Sequence, residues 1–551
     1  MGHDHVHPVV IVGAGPTGLV VAIELARRGV PFRLIDRRPE PVNWSRAIFI
    51  KSRTLEILAA LGVREPFYEG GQIVNRVDMF ANDACRASYE FDVLDTPHPH
   101  ILSVAEEDTI RILTEKLASL GGAIERGVEF VSLRQIERGV RVTVRSQEHG
   151  SSEVEASLVV GADGCHSDVR KAIGVEFEGH DFTDRWGVFD SALSGWSRDR
   201  DAVCAQLTPP VVVPFPLGRE LWRVYFWTGS LDGPAQPGRA GDPGGAGEDV
   251  LSRVVERLRV VSPGVELVDP QPPQFFHSTS RVARRYRVGR VFLAGDAAHV
   301  SNPIEGHGMN IGIQDAYNLG WKLAAIAAGE ATDALIESYE AERRPAAEVI
   351  VASGDRSYAR MLPSGAEKLQ ALYAFVATPD GQAYAAQAES ELSLGYEQSP
   401  IVEANGAMPA SSDAPPHATR IGFRVGDVTG LIRAGRPCRL HDLITGTDPT
   451  LFLLLGAAPP VDVVDTLAEL DAATRGMRGR LGVQIVVRSA EQPSSLPGKF
   501  LLDPAGRLHE RLGADQPTLA LVRPDGHLGF ACTPPTPKAL RAHLERMFLS
   551  A

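Results

Sequence analysis

The chain has 551 residues, 44% hydrophobic and 23% charged, a balance ordinary for a soluble globular protein and long enough for three or four domain-sized units. A net charge of -13 with dispersed acids argues against a nucleic-acid protein, which needs a basic face, and no apolar run approaches the ~18 residues of a membrane span. Five scattered cysteines (Cys85, Cys165, Cys204, Cys438 and Cys532) form no C-x-x-C, so the expectation is a reducing, cytoplasmic compartment without a disulfide framework or zinc site.

In chain order, the polar start lacks the apolar core of a signal peptide, and its alternating His3, His5 and His7 read as a frayed end rather than a metal site. Val9 to Val12 is a short apolar run, fit for a buried parallel strand. The turn Gly13-Ala14-Gly15-Pro16-Thr17-Gly18 follows, then a helix from Leu19 to Arg28 with Gly29 at its C′ position. Phe32 to Ile35 is the next strand, and Asp36 stands at its end. Gly13 permits the tight turn, Gly15 lets the backbone approach a pyrophosphate, and Gly18 lets helix and strand pack closely. The helix N-terminus offers N–H groups to the anion, and Asp36 can accept ribose hydroxyls. This unit predicts dinucleotide binding without separating FAD from NAD.

Segments near 130–145 and 153–160 alternate like antiparallel strands. The stretch from Val159 to Arg170 contains Asp163-Gly164, by itself a common turn signal. Val211 to Thr228 is rich in Val, Phe, Trp and Tyr and reads as sheet, with Tyr225 and Trp227 on one face and Phe226 on the other. Gly229 to Gly247 reads as a loop crowded with Gly, Pro and Asp. Val291 to Ala294 is a buried strand that delivers Gly295-Asp296 at its carboxyl end, where a polyol such as a ribityl chain can be bound. Pro303, Gly306, Gly308, Met309 and Asn310 open a long helix from Gly308 to Ala328, and backbone N–H groups there suit the negative edge of a reduced flavin. His299 and His307 flank this motif and read as satisfied local histidines rather than catalysts. Pro400, Pro409, Pro415 and Pro416 mark a linker. Strand signals at Leu451–Leu455, Val483–Val487 and Leu519–Val522, with a helix from Pro537 to Met547, make one small α/β domain.

Together with Arg46, the run Asp315-Ala-Tyr-Asn-Leu-Gly-Trp-Lys-Leu323 and the run Tyr339-Glu-Ala-Glu-Arg-Arg-Pro345, these motifs resemble the para-hydroxybenzoate hydroxylase-like flavoprotein monooxygenases. They stand in that family's order from Val9 to Pro345. The resemblance implies an α/β fold: a Rossmann-like FAD-binding domain (residues 1–180 and 277–400) with an inserted β-sheet substrate domain (181–276). Residues 420–551 resemble the thioredoxin-like C-terminal domain of phenol hydroxylase, most clearly at Arg523-Pro524-Asp525-Gly526, but without redox cysteines.

The resemblance further implies FAD held by Gly13, Gly15, Pro16, Thr17, Gly18, Asp36, Arg37, Arg46, Asp163, Gly295, Asp296, Pro303, Gly306, Gly308, Met309 and Asn310. Glu106 stands where relatives carry a Gln that contacts the flavin side chain. The implied activity is hydroxylation of a phenolic or polyketide-type ring with NAD(P)H and O2, the O2 adding at the flavin C4a carbon. No metal is required and no catalytic residue is assigned. Phe49, in the apolar segment after Arg46, and Phe215, Tyr225 and Trp227 are the pocket candidates for a small-molecule aromatic substrate, a large apolar phenol rather than a small carboxylate-bearing one. Neither nucleic acid nor membrane is an expected partner, and a homodimer is compatible with the sequence. The alternative reading is a non-oxygenating FAD oxidoreductase of the same fold.

Overall fold

The computed structural model describes residues 7–41, 47–208, 211–218, 220–227, 246–406, 418–444, 446–457, 463–474, 481–491 and 500–549. His3, His5, Arg46, most of the glycine-rich loop after Thr228, and Pro409, Pro415 and Pro416 lie outside them. Four consecutive apolar residues, Val9–Val12 (β1), have no polar face, and all four are buried in the middle of a six-stranded sheet. Helix α1 (Pro16–Arg27) begins earlier than Leu19 because Pro16, with its fixed φ, occupies the first helical position after Gly15. Strand β2 (Phe32–Asp36) pairs in parallel with β1.

Further along, β3 (Arg76–Ala81) and β4 (Ala84–Glu90) form a hairpin, and α2 (Glu106–Ser119) follows. The segment 128–156 is a separate three-stranded antiparallel sheet, whereas β5 (Leu158–Gly161) returns to pair with β1. Next come β6 (Phe177–Ser194), β7 (Ala202–Gln206), β8 (Val212–Pro216), β9 (Leu221–Trp227), α3 (Ala246–Val261) and β10 (Gln274–Ala283). Strand β11 (Val291–Leu293) pairs with β5. The parallel sheet is therefore ordered Arg287–Val288, β11, β5, β1, β2, Ile124–Arg126, with only the first pair antiparallel.

The second large sheet has nine strands, running in the order His299–Val300, β10, β6, β9, β8, β7, β3, β4, with Glu266–Val268 beside β6. It is wider than the stretch 181–276, because strand pairing recruits β3 and β4 from far upstream, β3 lying parallel to β7. Its two faces separate as period two requires. Phe226 packs against Val250 and Val254 of α3, while Tyr225 faces the opposite way.

Helix α4 (Gly308–Ala327) crosses α1 at very close range. A Cβ on Gly312 would stand 2.6 Å from Thr17 Oγ1, and one on Gly320 would stand 2.4 Å from Glu24 Cβ. The 29-residue helix α5 (Asp333–Met361) carries Pro345 in its interior and leads to α6 (Ala366–Val376) and α7 (Pro379–Ser390). These two form a tight hairpin in which a Cβ on Gly381 would meet Phe375 O at 1.9 Å.

The C-terminal region is built on an eight-stranded sheet. The expected linker begins inside it, since Glu403–Gly406 pairs in parallel with Leu528–Thr533. Cys532 and Cys438 stand on the second and the last strand, six strand spacings or about 29 Å apart. All five cysteines are free. The turn Arg523-Pro524-Asp525-Gly526 plugs into the helices of the first domain. Arg523 donates to both oxygens of Glu342 on α5 (2.6 and 2.8 Å) and also bonds Asp525. Asp525 Oδ2 accepts from Asn318 Nδ2 (3.1 Å) on α4, and the Asp525 carbonyl accepts from Arg53 (2.6 Å). Lys322 donates to Glu342 (2.7 Å) in the same buried cluster.

Candidate active site

The carboxyl ends of β1, β5 and β11 open into one cavity of about 1540 Å³. Its first wall is the glycine-rich turn. A Cβ on Gly13 (φ +103°) would meet Ala162 O at 2.3 Å, and one on Gly18 would meet Gly13 O at 1.9 Å, so neither position admits a side chain. Gly15 differs: a Cβ there would meet nothing within 4 Å, and Gly15 faces the cavity. Room beside the amides of the first turn of α1, where no acid stands, fits a pyrophosphate. Pro16, Thr17, Asp36 and Arg37 line the same end. Asp36 also clamps the turn, its Oδ2 accepting from Ala14 N (2.8 Å) and its Oδ1 from Arg38 N (2.9 Å).

Asp163 lines the cavity, but its oxygens are engaged locally. Oδ1 accepts from Ser167 Oγ (2.5 Å), and Oδ2 accepts from the amides of Asp168 (2.8 Å) and Val169 (3.1 Å) at the start of the helix Asp168–Ala172. That helix aims Arg170, which sequence reasoning left without a role. Its guanidinium donates to Ala297 O (2.9 Å) and Cys165 O (2.8 Å) and lies over Phe177. The Asp-Gly motif thereby braces the turn Gly295–Ala297, on which Asp296 faces the cavity.

Three expected cofactor contacts shape the site from behind instead of lining it. Gly18 is one. Gly295 (φ +60°) turns toward Thr17, where a Cβ would stand 2.5 Å from Oγ1, and its amide donates to Asp315 Oδ2 (3.0 Å). Asn310 is buried; Oδ1 accepts from Lys51 N (2.9 Å), and Nδ2 donates to Phe49 O (2.8 Å) and Gly306 O (3.1 Å). That side chain clamps two backbone segments to one another. Pro303, Gly306, Gly308 and Met309 do line the cavity. So does Glu106, which opens α2 three residues before the expected start and accepts from Ala47 N (3.4 Å).

Both histidines near this loop are paired. His299 Nε2 lies 2.6 Å from Asp315, which also takes Arg343 Nε (2.7 Å). His307 Nδ1 lies 2.6 Å from Glu391, and its Nε2 lies 3.2 Å from Glu305. Burial and Lys51 disfavour a proton on His307, but the two carboxylates outweigh them and raise its pKa. Burial likewise opposes the charge on Glu305, yet His307, Ser357 and Lys51 hold its carboxyl at about 2.

Beyond the loop the cavity widens over the nine-stranded sheet. Its floor takes Trp186, Tyr225, Val213, Val203, Met79 and Tyr89 from successive strands. Phe49 meets Phe215 edge-on at 4.6 Å, and Phe215 meets Tyr225 at 5.6 Å. Trp227 is not in this wall: although it shares the face of Tyr225, it pairs across from Trp186 at the end of β9 and is packed into the core. The roof is the α6–α7 hairpin, with Leu369, Leu372, Val376 and Ala388 turned inward. Phe375 and Tyr384, 43% and 65% exposed, stand 5.7 Å apart at its rim. The roof and the β3–β4 contribution were missed in the sequence; the alternation of Val77 and Met79 was the available signal.

A doubly wound sheet with open space at its first helix, leading into an aromatic chamber, is the arrangement of a dinucleotide-binding oxidoreductase. The chain belongs to the FAD binding domain family, which matches over residues 7–353, and it is an FAD-dependent aromatic monooxygenase. It is 32% identical to the 6-methylpretetramide 4-monooxygenase of Streptomyces rimosus, over 98% of this chain and 93% of that one. It is 29% identical to the pentachlorophenol 4-monooxygenase of Sphingobium chlorophenolicum, over 94% and 93% of the two chains. Among solved structures, the ternary complex of aklavinone-11 hydroxylase with FAD and aklavinone superposes with a TM-score of 0.73 at 28% identity, covering 99% of each chain.

Proposed function

We propose that this monooxygenase hydroxylates a phenolic, polyketide-type polycycle with NAD(P)H and O2. The observation that carries the reading is the chamber itself. Its floor spans five strand spacings from Trp186 to Tyr89, about 24 Å, and is almost wholly apolar and aromatic. A single ring would leave most of that surface unfilled, whereas a fused polycycle can bury against it. The names of the relatives support the same class, since two of the three act on polyketide-type ring systems. The five free thiols support a reducing, cytoplasmic setting.

Bound FAD supplies the oxygen-activating chemistry. The amides of Gly15 and Thr17 would hold its pyrophosphate, Asp36 and Arg37 its adenosine end, and Asp296 its ribityl chain. Pro303, Gly306, Gly308 and Met309 would flank the ring edge, with Glu106 near the flavin side chain. Gly18, Asp163, Arg170, Gly295 and Asn310 keep these groups in position. The α6–α7 roof covers the substrate and excludes water from the reacting ring. The test is NADPH oxidation by the holoenzyme with 1,8-dihydroxyanthraquinone and, separately, with monocyclic phenols, under oxygen-18. The expected result is stimulated oxidation and one labelled oxygen in the polycycle. Labelled product from monocyclic phenols alone would refute the polycycle reading.

A further inference from the structure

Tyr89 occupies an unusual place in the chamber. It sits on β4, opposite Val77 of β3, and lines the cavity while only 7% exposed. Its ring packs edge-on to Phe91 at 5.7 Å within a core that includes Met79, Phe91 and Ile101. A phenylalanine would satisfy all of that packing. The hydroxyl is what packing leaves unexplained: among the described residues it has no hydrogen-bond partner, yet it is not one of the sealed orphan atoms, so the cavity can reach it. A hydroxyl that opens only on the cavity takes its partner from whatever the cavity holds. Trp186 also carries a ring nitrogen without a partner, but that nitrogen is sealed inside the wall and out of reach of a ligand.

The surroundings decide which partner the hydroxyl suits. Burial raises the Tyr89 pKa well above the ordinary tyrosine value, and the negative charges of Glu389 and Glu305 raise it further. The group therefore keeps its proton and is a fixed donor. Glu389 is paired with Lys51 (2.6 Å), Glu305 takes Ser357 (2.5 Å) and Ser353 (3.2 Å), and neither carboxylate is hydrogen-bonded to Tyr89. Glu305, whose charge is felt at Tyr89, belongs to the turn Pro303–Glu305 that leads into the flavin-edge loop.

We propose that Tyr89 is a substrate-positioning residue, whose hydroxyl donates a hydrogen bond to a carbonyl or phenolic oxygen of the bound polycycle and so selects oxygen-bearing ring systems over bare ones. This rests on the polycycle reading above and deepens it. An aromatic floor alone grips any flat apolar molecule and leaves it free to slide; one directed donor fixes which end of the substrate lies toward the flavin.

The test uses the FAD-loaded enzyme and Tyr89→Phe, which removes only the oxygen. Binding of 1,8-dihydroxyanthraquinone and of anthracene is read from the perturbation of flavin absorbance, with flavin content and thermal midpoint checking that the variant is folded. The expected result is about a three- to tenfold loss of affinity for the dihydroxyanthraquinone, with anthracene binding unchanged. An equal change for both probes, or no change for either, overturns the assignment of Tyr89 and leaves the polycycle reading standing. Failure of the wild-type enzyme to bind dihydroxyanthraquinone at all overturns both.

Discussion

Glu342→Gln replaces one oxygen by an NH2 group and keeps the shape, which isolates the charge at the joint between the two halves of the chain. The buried carboxylate accepts from Arg523 twice, from Lys322 (2.7 Å), from Asn318 (2.7 Å) and from Ser399 (2.6 Å). Without it, two buried cations face Asp525 alone. Leaving buried charge uncompensated costs about 3–5 kcal/mol. The acidity of Glu342 points the same way. Burial opposes its ionisation, yet Arg523 and Lys322 hold its carboxyl well below the usual range, so the folded state favours the charged form. Lys322, lowered to about 8 chiefly by burial, remains charged at pH 7.

Urea unfolding at pH 7, followed by far-UV circular dichroism and flavin fluorescence, measures the loss. Adding Lys322→Met to Glu342→Gln restores the balance of charge and should recover at least half of it. The pH dependence has a fixed sign. Because the folded carboxyl is the stronger acid, its contribution is complete above pH 4.5 and fades as pH falls toward 2, and the variant loses that slope. A cost below about 1 kcal/mol, or no recovery in the double variant, would refute the idea that this cluster holds the domains together.

Four further outcomes are expected. Asp36→Ala should weaken FAD binding by about 1–3 kcal/mol, measured by flavin titration of the apoprotein, since the carboxylate clamps the glycine-rich turn and faces the ligand. Gly312→Ala places a methyl group 2.6 Å from Thr17 Oγ1 and should cost about 1–3 kcal/mol of stability together with flavin content; adding Thr17→Ala should restore part of both. Replacing Cys438 and Cys532 by Ser should leave turnover essentially unchanged, because strands that far apart cannot exchange a disulfide. In anaerobic stopped-flow experiments the true substrate should speed flavin reduction, with equal rates with and without it ruling out substrate gating.

The local signals in the sequence were strong where one segment decides its own conformation. β1 runs over Val9–Val12 and the last helix over Pro537–Met547, as their apolar runs and flanking residues require. α4 ends one residue from its expected limit, because the close glycines at one end and Gly329 at the other bound it. What was not legible depends on distant partners. Nothing local in residues 76–90 says that they extend a sheet begun a hundred positions later. Pro345 interrupts the helical pattern of α5, and only packing on both sides carries the helix through it. The site shows the same division. Gly15 and Asp296 face the cavity as their motifs imply, but whether Asn310 or Asp163 serves a ligand or the backbone depends on neighbours that the motif does not contain.

The plug formed by Arg523 to Gly526 also bears on how the protein is made. Arg53, Glu342 and Asn318 leave the ribosome long before the turn that completes their bonding; Arg53 precedes Asp525 by 472 positions. For the 181 positions between Glu342 and Arg523 the growing chain therefore holds a carboxylate that has Lys322 and Asn318 but not yet its arginine partner. Helices α4 and α5 support the Gly295 turn and the Pro303–Met309 loop through Asp315 and Arg343. The bonding that seats those helices is thus complete only once the turn from Arg523 to Gly526 has been made.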